Sequence, residues 1–182
     1  MSGPAGVRLI GDPVLRTPAG TVGDVTDPRF RREADVLIAT LEEFRARRGF
    51  GRAIAAPQIG VSKRFIAVDL GDGPFLVIDP VIAARSDEMF TMWDDCMSFP
   101  WLLVRLRRHL SISMDYTDEE GRPGSWQDLD VATSELMQHE LDHLDGILAV
   151  DRAEDSSALV AREVFEGDPD RFRDEVDYTI AG

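Results

Sequence analysis

The pentapeptide His139-Glu140-Leu141-Asp142-His143 is the most informative stretch of this 182-residue sequence. In an α-helix, side chains four residues apart lie on one face, so two histidines at this spacing can bind one metal ion. The motif lies within residues 131–145, whose length and composition predict a helix with Asp130 as its N-cap and Gly146 just beyond its end. Glu140 lies beside the histidines, where a carboxylate can transfer protons. The sequence therefore predicts a metal-binding helix.

Two histidines leave a catalytic metal ion one protein ligand short, and the third ligand determines the class of enzyme. The metzincin extension requires a histidine at the position of Ala149, which excludes that class. A gluzincin would take a glutamate from a following helix, for which Glu163 and Glu166 are the candidates. The remaining candidate is Cys96, the single cysteine, although a lone cysteine is more often a small buried apolar residue. The spacing alone leaves the last two alternatives open.

Three further segments have regular hydrophobic patterns. Apolar residues between Pro28 and Arg48 recur at the spacing of one helical face, which predicts an N-terminal amphipathic helix. Residues 65–79 contain two apolar runs separated by a Gly-Asp-Gly-Pro turn, and predict a hairpin that ends at Pro80. Residues 109–117 alternate between apolar and polar, as in a half-buried strand. We therefore expect one small α+β domain over residues 1–182, with mostly antiparallel strands around the central metal-binding helix.

Composition and charge exclude several classes of function. The hydrophobic fraction of 43% is typical of a globular chain, so the net charge of −14 does not indicate disorder. This excess of acidic side chains argues against direct nucleic-acid binding, and residues 151–182 form an acidic C-terminal extension with ten acidic and four basic side chains. No apolar run approaches the roughly 18 residues of a membrane span, and no secretory signal is visible. We expect a cytoplasmic protein that does not bind membranes.

Three segments together resemble the signature motifs of the peptide deformylase family. They are Gly51-Arg52-Ala53-Ile54-Ala55-Ala56-Pro57-Gln58-Ile59-Gly60, residues 93–100 around Cys96, and residues 138–146. The resemblance covers most of residues 7–152. It implies a small α+β domain whose metal helix packs among antiparallel strands, which agrees with the order of elements predicted above.

The resemblance also implies a reaction, namely removal of the N-formyl group from formyl-methionyl peptides or nascent chains during N-terminal methionine processing in protein biosynthesis. The implied metal ligands are Cys96, His139 and His143. The implied cofactor is one divalent ion per chain, Fe²⁺ in the cell and Zn²⁺, Ni²⁺ or Co²⁺ in purified protein. Glu140 would transfer protons, and the side-chain amide of Gln58 and the backbone N–H of Met97 would stabilise the oxyanion.

The chain departs from the family pattern mainly at positions that the resemblance assigns to substrate binding. Family members usually have Gly-x-Gly-Leu-Ala-Ala with an apolar x, whereas this chain has Arg52 and Ala53. The usual Glu-Gly-Cys-Leu-Ser is here residues 94–98, Asp-Asp-Cys-Met-Ser, and the resemblance implies a supporting ion pair between Asp94 and Arg108. The implied substrate-binding residues are Gly51, Arg52, Ala53, Ile54 and Asp95.

These differences leave two alternatives to deformylation of formyl-methionyl peptides. The first is a metal-dependent deacylase or amidohydrolase that acts on a different N-formyl or N-acyl substrate, which the substitutions at Arg52, Ala53, Asp95 and Leu103 favour. The second is a catalytically weak, deformylase-like binding protein that keeps the metal only as a structural element. The sequence carries no signal for the native metal ion or for the oligomeric state.

Overall fold

The helix that carries the histidine motif, α2 (Val131–Leu144), forms where the sequence predicts it in the computed structural model, which describes residues 4–180. Asp130 caps its N-terminus, because its carboxylate accepts a hydrogen bond from the backbone N–H of Thr133 at 2.8 Å. Gly146 follows its C-terminal end with a positive φ of 74°, as in a left-handed helix terminus. Every residue of α2 from Ser134 onward is buried, so the helix runs through the interior of the protein.

The strands form two antiparallel sheets. The first sheet has five strands in the order β1-β2-β3-β6-β7, and the second has three in the order β4-β5-β8. The strands are β1 (Ala53–Ala55), β2 (Phe65–Val68), β3 (Phe75–Arg85), β4 (Met89–Asp95), β5 (Leu102–His109), β6 (Ile112–Thr117), β7 (Pro123–Trp126) and β8 (Leu159–Ala161). Helix α2 contacts β1 of the first sheet and β5 of the second, so both sheets help to position the histidine motif.

The N-terminal amphipathic helix, α1 (Pro28–Arg48), has the predicted bounds. Its apolar face buries Phe30, Leu37 and Leu41 against the first sheet, where the Phe30 ring meets the edge of Phe65 at a centroid distance of 5.1 Å. The remaining helices are α3 (Arg162–Gly167), α4 (Pro169–Arg173) and four 3₁₀ turns at Pro13–Arg16, Ala56–Ile59, Ala149–Arg152 and Ser156–Ala158. Among residues 4–180, no helix is both long enough and apolar enough to cross a bilayer.

The predicted hairpin is present, but the prediction that it ends at Pro80 is wrong. Strand β3 continues to Arg85, and the proline lies in a register shift between Ile78 and Val81 in the pairing of β3 with β6. The preceding residue, Asp79, has a positive φ of 48°. A proline is tolerated in this strand because a bulge leaves its missing N–H outside the hydrogen-bond ladder.

The single strand predicted over residues 109–117 is two elements. His109 ends β5, the chain turns at Leu110 and Ser111, and β6 begins at Ile112. The apolar–polar alternation continues through the turn, so the pattern alone does not reveal the break. Within β6 the apolar residues Ile112 and Met114 are buried against α2, as predicted.

Candidate metal centre and substrate cavity

Cys96, His139 and His143 lie together in the interior. The candidate ligand atoms of the three residues all lie within 4.8 Å of one another, and Cys96 Sγ is 3.2 Å from His143 Nε2. The histidines come from successive turns of α2, whereas Cys96 follows the last residue of β4. One thiol and two imidazoles are a donor set that suits ions such as Fe²⁺ and Zn²⁺, and three protein ligands leave one position open for water or substrate. The residues therefore fit a mononuclear catalytic metal centre.

Asp94 fixes the orientation of His139. Both carboxylate oxygens of Asp94 lie 3.0 Å from His139 Nδ1, so this nitrogen donates to Asp94 and Nε2 is left to bind a metal. Arg108 Nη2 donates to the same carboxylate at 2.7 Å. Burial opposes ionisation of Asp94, but His139 and Arg108 outweigh it and hold the pKa of Asp94 well below its usual value.

The guanidinium of Arg108 is buried between two acidic side chains. Besides Asp94, its Nη1 donates to Asp142 at 3.1 Å. The Asp142 carboxylate also accepts two hydrogen bonds from Arg152. Asp142 is therefore not a solvated helix carboxylate. It holds Arg108, and through Arg108 it supports Asp94.

Glu140 is buried next to the first histidine and lines the same cavity. Its Oε2 has no hydrogen-bond partner among the residues that the structure describes. Burial raises the pKa of Glu140 to about 7, although the charge of His139 opposes this shift. A buried carboxyl group without a protein partner is costly unless it meets a ligand or water, so Glu140 is placed to exchange a proton with a molecule in the cavity.

Gln58 lies in the Ala56–Ile59 turn with its side chain directed at the cysteine. Its Oε1 accepts a hydrogen bond from the backbone N–H of Ala55 at 2.9 Å, which fixes the orientation of the amide. The donor Nε2 then lies 3.2 Å from Ser98 Oγ and 3.8 Å from Cys96 Sγ. An amide N–H group held beside the metal ligands can donate to an oxyanion that forms there.

A cavity of about 520 Å³ opens onto His139 and Glu140, a size typical of small-ligand sites. The sequence-predicted residues that line it are Gly51, Arg52, Ala53, Gln58, Asp94, Asp95, Met97, His139 and Glu140. Ile54 does not line the cavity, because neighbouring residues of β1 point to opposite faces and its side chain is fully buried in the core beneath α1. Its position does not support the expected direct contact with substrate.

Gly51 has a conformational reason to be glycine. Its φ is +110°, a value that side chains of other residues rarely allow, whereas a Cβ atom would come too close only to the terminal methyl group of Met97, the flexible end of a side chain that can move aside. The backbone conformation therefore accounts for the glycine.

Arg52 forms an ion pair in the cavity wall that sequence reasoning missed. It donates to the carboxylate of Glu135 and to the backbone carbonyl of Ala132, the latter at 2.9 Å. Glu135 is 1% exposed, and burial raises its pKa to about 7 although Arg52 opposes the shift. Glu135 precedes His139 by one helical turn and so shares its face, which is the signal that could have revealed it.

The gluzincin alternative is not supported. Glu163 and Glu166 are exposed on α3, and within residues 4–180 the cluster that contains the two histidines is completed by Cys96.

The family model described as Polypeptide deformylase matches residues 4–158 of the chain. This chain belongs to the peptide deformylase family. The peptide deformylase of Thermotoga neapolitana is 34% identical over 157 residues, which cover 86% of this chain and 92% of that protein. The peptide deformylase of Synechocystis sp. is 32% identical over 169 residues, which cover 90% and 87% of the two chains.

Solved peptide deformylases have the same fold. The structure from Thermotoga maritima has a TM-score of 0.76 at 32% identity and covers 85% of this chain and 100% of its own. The class I type b peptide deformylase from Acinetobacter baumannii, solved with Met-Ala-Ser bound, has a TM-score of 0.74 at 27% identity and covers 84% and 99%. The predicted family, the α+β fold and the class of enzyme, a metal-dependent amide hydrolase, are confirmed.

Proposed function

We propose that this peptide deformylase hydrolyses the N-formyl group of formyl-methionyl peptides and releases formate and a free N-terminus. The observation that carries the proposal is the buried Cys96, His139 and His143 cluster, beside Glu140, whose Oε2 has no hydrogen-bond partner among residues 4–180. A relative from Acinetobacter baumannii was solved with Met-Ala-Ser bound, which supports a peptide as the ligand of the corresponding cavity.

The three clustered residues would hold one divalent metal ion. The thiolate of Cys96 is a soft, strongly donating ligand, so we expect Fe²⁺ in the cell and Zn²⁺, Ni²⁺ or Co²⁺ in purified protein. When bound, such an ion acts as a Lewis acid and lowers the pKa of a bound water molecule toward neutrality. The Asp94 hydrogen bond keeps Nε2 of His139 free for this role.

Glu140 would be the group that moves protons. Water adds to the formyl carbon and gives up a proton to the Glu140 carboxylate. The carbon–nitrogen bond then breaks, and Glu140 returns the proton to the leaving amine. Its environment suits both steps, because a group whose pKa is near 7 accepts and donates protons readily at neutral pH.

Two donors would stabilise the oxyanion that forms when water adds. They are the side-chain amide of Gln58 and the backbone N–H of Met97. The hydrogen bond from Ala55 to Gln58 Oε1 supports this role, because it holds the amide in one orientation before substrate binds. A preorganised donor of this kind typically contributes about 10²–10³ in rate.

Formate release from formyl-Met-Ala-Ser by Co²⁺-loaded protein tests the proposal, with acetyl-Met-Ala-Ser as the comparison substrate. We expect turnover of the formyl peptide and a loss of at least roughly 10²-fold in Glu140→Gln at unchanged metal content. No formate release by the wild type above the level of Glu140→Gln would contradict the assigned reaction.

One observation favours a second candidate, hydrolysis of a different N-formyl or N-acyl amine. The wall of the cavity contains the Arg52–Glu135 ion pair. Arg52 lies at a position where the family pattern has an apolar residue. A charged wall suits the unbranched apolar side chain of methionine less well than an apolar wall does. A panel of formylated amines distinguishes the candidates. If formyl-methionyl peptides are the best substrates by a wide margin, the second candidate fails.

We also propose that the enzyme works in the cytoplasm and reaches its substrate without docking on ribosomal RNA. The acidic composition of residues 151–182, with ten acidic and four basic side chains, supports the absence of docking on ribosomal RNA. We expect little or no co-sedimentation with ribosomes at physiological salt. Strong, salt-sensitive binding through this segment would contradict the proposal.

A further inference from the structure

Residues 159–180, here called the C-terminal wall, follow the part of the chain that the deformylase family model matches. The wall begins with β8, which pairs with the edge of β5. It continues through α3 and α4, and Tyr178 then forms a bridge with Met92 on β4. The wall therefore supplies the third strand of the three-stranded sheet, beside β5, and returns to β4 at the opposite edge.

The C-terminal wall is firmly attached to β4. The indole N–H of Trp93 donates to the backbone carbonyl of Phe172 at 2.8 Å, and the two rings meet edge to face at a centroid distance of 5.5 Å. Further along, Asp177 Oδ2 accepts hydrogen bonds from the backbone N–H and the hydroxyl of Thr91, at 2.9 and 2.7 Å. This acidic segment is thus packed against the sheet and is part of the folded protein.

The C-terminal wall also lines the cavity that contains His139 and Glu140. Its lining residues are Arg162, Phe165, Arg173, Tyr178, Thr179 and Ile180. One side of the cavity is therefore built by residues outside the family match, and it presents aromatic rings and two guanidinium groups that can contact a peptide.

Arg162 connects the C-terminal wall to two other sides of the cavity. Its Nη2 donates to Asp95 Oδ2 at 2.8 Å, and its Nε donates to the backbone carbonyl of Pro100 at 2.6 Å. The guanidinium carbon lies 4.7 Å from the centre of the Phe50 ring, which is a cation–π contact. Asp95 is the residue before the cysteine ligand, so one side chain holds together the cysteine segment, the loop before β1 and the wall.

We propose that the C-terminal wall binds the peptide residues that follow the formylated one, and that Arg162 is a positioning residue that holds Asp95 and Phe50 against that part of the substrate. The inference rests on the proposed function, because it places the formyl group at Glu140. A peptide that begins there must run along the rest of the cavity, where the wall meets it. The wall should therefore affect binding of longer peptides and leave the chemical step unchanged.

The variant Arg162→Met tests this inference through KM and kcat for peptides of different length. For the formylated tetrapeptide formyl-Met-Ala-Ser-Ala, we expect KM to rise about tenfold, as for the loss of one hydrogen bond to a charged group. For formyl-Met-Ala we expect KM to change less than about twofold, and for both peptides we expect an unchanged kcat. The matched control is Arg171→Met, the same substitution at an exposed position of the wall that does not line the cavity.

Thermal melting and metal content identify a variant that fails to fold. If Arg162→Met does not fold, Arg162→Lys takes its place in the test, because lysine keeps the cation near Asp95 but loses the planar contact with Phe50. It should raise KM for the tetrapeptide in the same direction by a smaller factor. A fall in kcat of equal size for both peptides would overturn the inference, since it would mean that Arg162 only supports the metal site.

Binding of the unformylated tripeptide Met-Ala-Ser, measured by calorimetry, separates this inference from the proposed function. We expect Arg162→Met to bind Met-Ala-Ser about tenfold more weakly than the wild type. If the wild type releases no formate but binding weakens in this way, the reaction assignment fails and the inference stands. If formate is released and Arg162→Met binds Met-Ala-Ser as tightly as the wild type, the inference fails and the reaction assignment stands.

Discussion

Replacing Arg108 by methionine should destabilise this protein by about 3–5 kcal/mol, the cost of removing one partner from a buried ion pair. Arg108 is 2% exposed and donates to Asp94 at 2.7 Å and to Asp142 at 3.1 Å. Without it, Asp94 is left buried and keeps His139 as its one side-chain partner within the described part of the chain. Asp142 loses less, because it also accepts hydrogen bonds from Arg152.

The same substitution should weaken metal binding. Asp94 orients the ring of His139, and Arg108 holds Asp94 in place. Loss of a residue that supports a metal ligand in this way typically lowers metal affinity by about 10–100-fold. A methionine fills the space of the arginine stem without its charge, so both effects would report on the electrostatic network and not on a cavity.

Thermal unfolding and competition with a chelator measure the two effects. At about 2–4 °C per kcal/mol for a chain of this size, the melting temperature of Arg108→Met should fall by roughly 6–20 °C. The matched control is Arg122→Met, whose ion pair with Asp118 is exposed, and we expect no resolvable change in its melting temperature. Equal melting temperatures for Arg108→Met and Arg122→Met would show that the buried ion pairs of Arg108 do not stabilise the fold.

Further expectations concern the cavity and the metal ion. Gly51→Ala should cost about 1–3 kcal/mol in the free energy of unfolding, measured by urea titration, because the residue has a positive φ; a neutral result would contradict this. Burial raises the pKa of Glu135 to about 7, above its ordinary 4.5, so its contribution to stability is present at acidic pH and is lost as the pH rises toward 7. Glu135→Gln should flatten the pH dependence of the free energy of unfolding between pH 4.5 and about pH 7. An unchanged slope would count against the raised pKa of Glu135. Removal of the metal by a chelator should lower the melting temperature and Co²⁺ should restore it, whereas Cys96→Ala should show no such dependence.

Helices α1 and α2 were predictable because their signals are local. The apolar period of residues 28–48 and the Asp130 cap act within a few residues along the chain, and both helices have the predicted positions. The H-E-x-x-H motif is also local, so it identifies two of the three clustered side chains without knowledge of the sheets.

The remaining features depend on contacts between distant residues. The pattern of apolar and polar residues does not mark Arg108 as buried, and only the resemblance to deformylases implied its ion pair with Asp94. Its burial follows when β5 brings it between Asp94 and Asp142, which are 14 and 34 positions away. Glu135 likewise becomes part of the cavity through Arg52, 83 positions before it. The C-terminal wall carries no motif and many acidic residues, so its composition indicated only an extension, and its place against Trp93 and the cavity required the structure.

The assigned reaction is tested most directly by a titration of the metal-free protein with Co²⁺, in which bound metal and formate release from formyl-Met-Ala-Ser are measured together. We expect activity to rise in proportion to bound Co²⁺ and to saturate at one ion per chain. Glu140→Gln should bind the same single ion and release almost no formate. If the wild type binds one ion and releases no formate, the assigned reaction is wrong. If Glu140→Gln is as active as the wild type, the proton-transfer role of Glu140 is wrong.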